Sequence, residues 1–130
     1  MTAKYLLTAN CIIGFLFGAG FILLPGLCSS LMGFEVAGDS TLIAQGMGVF
    51  VLGTGVLTLL ARNTPESEAK RAILLSLLIL YSVLVIYKAS LNIFAGIPFN
   101  LMFAVIYVIH AVLIAGYAYC LSRTPRAIQS

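Results

Sequence analysis

The sequence predicts an all-α integral membrane protein folded as one antiparallel four-helix bundle, and three observations carry that prediction. Of 130 residues, 62% are apolar and only 8% charged, against ~25% charged in an ordinary soluble domain. Four apolar runs each approach the ~20 residues with which a helix crosses a ~30 Å hydrocarbon layer. The segments between them are too short to hold a soluble catalytic domain or a nucleic-acid module, and the length admits a single domain. The lipid bilayer is therefore the expected surrounding, with no nucleic-acid partner.

The first span is expected over about 5–27, with Pro25 and Gly26 kinking or ending it. Lys4 ahead of an apolar run resembles a signal peptide. The run continues past 20 residues, however, and Leu27 precedes Cys28 where lipoprotein processing needs a small residue, so a retained span is expected. Residues 28–40 read as a loop or short interfacial turn. Asp39 or Ser40 is the expected N-cap of a second span over about 41–61, which Arg62 closes with a cation. Thr64 as cap, Pro65 at the first position and Glu66 and Glu68 in the first turn predict a third helix that begins before the membrane and crosses it over about 72–94. Glu66 and Lys70 form an i,i+4 pair on its exposed first turns. Gly96-Ile97-Pro98 is a tight connection, and Pro98 opens a fourth span over about 98–121, followed by a polar tail.

In this model the net charge of +3 is a matter of topology. Lys4, Arg62, Lys70, Arg71, Arg123 and Arg126 fall on one side, while the opposite loops hold Glu35 and Asp39. The positive-inside rule places both termini in the cytoplasm and argues against dual insertion. Small multidrug transporters and dual-topology fluoride channels are comparable in size, but no acidic residue lies in a span here to bind a proton or cation.

Helices associate in lipid where small residues let backbones approach. Gly14 and Gly18 make such a step in the first span, Gly46 with Gly53 and Gly48 with Gly55 in the second, and Ala104, Ala111, Ala115 and Ala118 form a stripe in the fourth. These are the expected seams of a left-handed bundle. Gly46-Met47-Gly48 lies inside a span and not after a strand, which removes a dinucleotide-binding reading.

Two ionisable residues inside the spans are the candidates for function. Fourteen Leu, Ile, Val or Phe residues between positions 72 and 94 favour insertion by roughly 6 kcal/mol, against at most about 3 kcal/mol for the cost of Lys88. Lys88 therefore either snorkels to head groups or to Glu35 and Asp39, or anchors an anionic or carbonyl-bearing ligand. His110, near the middle of the fourth span, is expected to be satisfied by Tyr81 or Ser82, or to serve a ligand. A lone histidine makes neither a metal site nor a haem site by itself. Phe103, Tyr107, His110, Ile114 and Tyr117 share one inward face. Lys88, His110, Tyr107, Phe103, Gln45 and Asn92 are the candidate ligand-binding set, around a cleft open to the outer leaflet. Cys11, Cys28 and Cys120 are too widely spaced for a CxxC pair or a zinc site. No nucleophile has a base at a legible spacing, and no catalytic or metal residue is assigned.

The stretch from Gln45 to Gly55, then Leu59-Leu60-Ala61-Arg62-Asn63, Ser67 to Arg71 and Ala72-Ile73-Leu74, resembles small uncharacterised bacterial four-helix inner-membrane proteins, DoxX-like in organisation. The resemblance implies the same fold and a bacterial inner membrane, and an arginine where Gln45 stands here. It brings no established activity. The reading that follows is a non-catalytic accessory or assembly subunit of a larger membrane complex, or a homo-oligomer. The alternatives are a binder of a lipid-soluble ligand, a quinone or an anionic amphiphile, in an intramembrane cleft, and a small transporter. No cofactor is predicted beyond that possible quinone or lipid.

Overall fold

A computed structural model describes residues 3–35, 37–94 and 99–123. Among them the chain forms five helices and no strand: α1 (Ala3–Leu23), α2 (Pro25–Leu31), α3 (Asp39–Ala61), α4 (Glu68–Phe94) and α5 (Leu101–Arg123). All but α2 are long and apolar enough to cross a membrane. The protein is thus an all-α, multi-pass membrane protein, with large apolar side chains such as Leu16, Ile43, Ile86 and Val108 turned outward where lipid replaces water.

The spans lie where hydropathy puts them, but their ends differ. α1 stops at Leu23, four residues before the predicted limit, because the residue before a proline is driven out of the helical region. Leu24 adopts φ −133° and ψ 54°, and Pro25 then opens α2 at a position where its missing N–H costs nothing. The expected loop therefore begins with a seven-residue helix, which ends at Leu31 and is followed by Gly33 with φ 80°. Neither Asp39 nor Ser40 caps α3. Gly38, with φ 56°, occupies the cap position, and Ser40 Oγ turns back to accept from the Ala37 N–H at 2.9 Å. α4 starts at Glu68 and not beside Pro65. The Lys70 N–H donates to Ser67 Oγ at 3.2 Å, while the Thr64 hydroxyl donates to the Ala61 carbonyl at the end of α3. α5 begins at Leu101, with Asn100 Oδ1 accepting from the Phe103 N–H at 2.9 Å. Pro98, expected to open that span, lies outside the described residues.

α1 and α3 form one tight antiparallel pair, and α4 and α5 the other; α1 also touches α5, whereas α3 and α4 hardly meet. Glycines explain the first pair. A Cβ on Gly14 would lie 2.7 Å from the Gly55 Cα, and one on Gly18 2.6 Å from the Leu52 nitrogen. Gly48 faces Phe21 just as closely, but Gly46 and Gly53 face open space, so only one of the two predicted α3 stripes is a seam. The alanine stripe of α5 is not a seam either. Ala111, Ala115 and Ala118 are exposed and Ala104 half-buried, while Phe103, Ile106, Leu113, Gly116, Tyr117 and Cys120 pack inward. Bulky side chains fill the wider separation that α5 keeps from its neighbours.

The half of the bundle nearer the described ends of the chain is solid, built from Leu6, Leu7, Ala61, Leu74, Leu77 and Tyr117. Lys70 belongs to this half. It is only 5% exposed, and its ammonium donates to the Thr64 carbonyl at 2.9 Å and pairs with Glu66 Oε1 at 2.9 Å. The predicted pair therefore exists, with Glu66 exposed on the α3–α4 connection ahead of the helix and the Lys70 ammonium buried beneath it, a clasp on that connection.

Candidate functional site

Away from that solid half, the two helix pairs part. Between them lies a cavity of about 150 Å³, bordered by α1, α3, α4 and α5. Its walls are mostly apolar, including Phe17, Phe21, Phe50 and Leu84, with Met32 from the segment after α2. Five polar side chains line it: Asn10 from α1, Thr54 from α3, Tyr81 and Lys88 from α4, and His110 from α5. Few polar groups in an apolar enclosure is the usual composition of a small-molecule site.

All of these polar groups but Lys88 are held by their own helix or by one neighbour. Tyr81 Oη donates to Asn10 Oδ1 at 2.6 Å, a bond between α4 and α1. The Tyr81 ring stacks parallel to Tyr117, with centroids 6.1 Å apart, and meets His110 edge-on at 5.2 Å. Thr54 Oγ1 donates to the Val51 carbonyl at 2.7 Å. His110 Nδ1 lies 2.6 Å from the Ile106 carbonyl one turn back. A carbonyl only accepts, so Nδ1 carries the proton there and Nε2 is left with a lone pair in the neutral ring. The expected bond from His110 to Tyr81 or Ser82 is not made: Tyr81 is taken by Asn10, and Ser82 Oγ donates to the Leu78 carbonyl.

The buried donors without a well-formed hydrogen bond among the described residues are Asn10 Nδ2, Tyr117 Oη and Arg62 Nε, and Lys88 is a further donor on the cavity wall. Asn10 is 1% exposed, and its Nδ2 has no well-formed hydrogen bond among the described residues. Lys88 is half-buried and forms no ion pair with Glu35 or Asp39, the protein partners expected beside lipid head groups if it snorkels; the ion pair found among the described residues is that of Lys70. A donor stranded in an apolar site costs free energy until something accepts from it.

Of the six residues singled out in the sequence, Lys88 and His110 line the cavity and the other four lie elsewhere. Gln45 Nε2 donates to the Ile22 carbonyl at 3.1 Å, serving one of the open carbonyls that the Pro25 break leaves at the end of α1. Tyr107 Oη donates to Asn92 Oδ1 at 3.0 Å and its ring stacks on Phe99, which binds α5 to the end of α4. Phe103 is buried edge-on against Phe34. Asn10 and Thr54 escaped the sequence reading, although an amide in the middle of the first apolar run was a visible signal. Among the described residues no three His, Cys, Asp or Glu side chains come together, and Cys11, Cys28 and Cys120 form no disulfide. Compared with known family models, with curated proteins and with solved structures, the chain matches none.

Proposed function

We propose that the protein is a non-catalytic membrane module that binds a lipid-soluble ligand with a ring-sized polar head, taken from the bilayer through the opening between α3 and α4. The observation that carries this reading is the unpaired Lys88 ammonium on the wall of an otherwise apolar cavity. A cavity of about 150 Å³ is large enough to take benzene, so a ring fits inside while a tail stays among the lipids. Quinones and anionic amphiphiles both have oxygens for Lys88 and Asn10 Nδ2 to reach. The accessory-subunit reading rests on what the sequence lacks, whereas the cavity is a positive feature, and the binding reading is preferred for that reason. Transport is disfavoured because Leu6, Leu7, Leu74 and Leu77 fill the far half of the bundle and make the cavity blind. The setting proposed is a bacterial inner membrane with both termini cytoplasmic, as the lysine and arginine distribution favours.

The test is extraction of lipophiles from protein purified in lipid nanodiscs. Wild-type protein should retain a ring-headed lipophile, and Lys88→Met and the cavity-filling Val51→Phe should each lose most of it while still folding. Equal retention in all three proteins sinks the reading. A stoichiometric protein partner with no retained lipophile would favour the accessory subunit instead.

A further inference from the structure

We infer that the ligand is a phenolic amphiphile, whose hydroxyl donates a hydrogen bond to His110 Nε2 while its oxygen accepts one from Lys88. This rests on the binding reading above and narrows it from any oxygen-bearing head to one that also donates. The argument starts from the Ile106 carbonyl, which fixes the His110 proton on Nδ1 at 2.6 Å. The cavity-lining ring then offers an acceptor and no donor. Neither Tyr81 nor Ser82 supplies that acceptor with a proton, since both hydroxyls donate elsewhere. Lys88, by contrast, has only donors. One wall therefore asks for a proton and the other gives one.

A ketone or an oxidised quinone satisfies Lys88 and leaves His110 Nε2 bare. A carboxylate does the same and sets its own lone pairs against that of the imidazole. A phenol, including a hydroquinone, meets both demands through one oxygen, and its flat ring suits the aromatic surroundings of Phe17, Phe21 and Phe50. An aliphatic alcohol has the same polarity without the ring.

The test compares 4-heptylphenol with its methyl ether, 4-heptylanisole, on wild-type protein in nanodiscs, each affinity corrected for partition into empty discs. The phenol should bind about fivefold tighter or more, the worth of one hydrogen bond, and His110→Phe should bring the ratio close to one. His110 is the single histidine of the chain, so nitrogen-15 NMR reads it without ambiguity even if that variant folds poorly. The Nε2 resonance should move on adding the phenol and stay still with the ether. Equal binding of the two probes, or a shift confined to Nδ1, overturns the inference and leaves the cavity reading standing. If neither probe binds, both readings fall.

Discussion

Lys70 and Lys88 sit on the same helix, in two regions built on opposite terms. Around Lys70 the bundle is closed: the ammonium has a carboxylate and a carbonyl at 2.9 Å, and Leu74 and Leu77 beside it are sealed from the surroundings. Around Lys88 the helices part, and among the described residues the ammonium has no ion pair. A structural lysine in a membrane protein is recognised by the partners the fold gives it. One left without partners points to something the fold does not supply.

The comparison can be broken by truncating each region in turn. Leu74→Ala, at 0% exposure, should cost about 2–4 kcal/mol by leaving a void in a filled core. Phe50→Ala on the cavity wall, at 54% exposure, should cost less than about 1 kcal/mol, since lipid already covers much of that ring. Thermal unfolding in one detergent reads both, and equal losses would show that the two regions do not differ in packing. Lys70→Met should be next in size, about 1.5 kcal/mol, because the Thr64 carbonyl loses a charged donor while Glu66, 59% exposed, is taken up by water. Lys88→Met should be neutral or mildly stabilising in the same assay, and a large loss there would mean that the fold itself depends on Lys88. Tyr81→Phe should cost about 1 kcal/mol, as it removes one interhelical bond and leaves Asn10 Oδ1 without its donor. A change below about 0.2 kcal/mol would show that the Tyr81–Asn10 bond is not formed in the membrane.

The spans were legible because a run of about twenty apolar residues has few other fates. Their ends were less so, since each end offered several plausible caps in a row. Thr64 and Ser67 both precede Glu68, the acid in the first turn of α4, and Ser67 takes the role because the Thr64 hydroxyl is already bonded back to Ala61. Inside the membrane, hydropathy loses its power to tell faces apart, because lipid and protein core are equally apolar. Ala111, Ala115 and Ala118 illustrate this: small enough to pack, they point outward nonetheless. Gly46 and Gly48 show it at higher resolution, being two positions apart on one helix, with one open and the other pressed on Phe21. Lys88 and His110 were found because charge and imidazole are conspicuous in a span. Gln45, Tyr107, Asn92 and Phe103 were grouped with them by level along the helices, which says nothing about helix rotation.

The clasp on the α3–α4 connection stands where a fulcrum would. Lys70 binds α4 to the short segment that leaves α3, and the cavity mouth lies far along both arms. From Lys70 to Lys88 the helix rises ~27 Å. A tilt of about 5° about the clasp therefore shifts Lys88 by about 2 Å, comparable with the difference between a slot that grips a flat ring and one that releases it. Any change of tilt at the clasp, even from one side chain, would therefore be magnified at the aperture facing the bilayer.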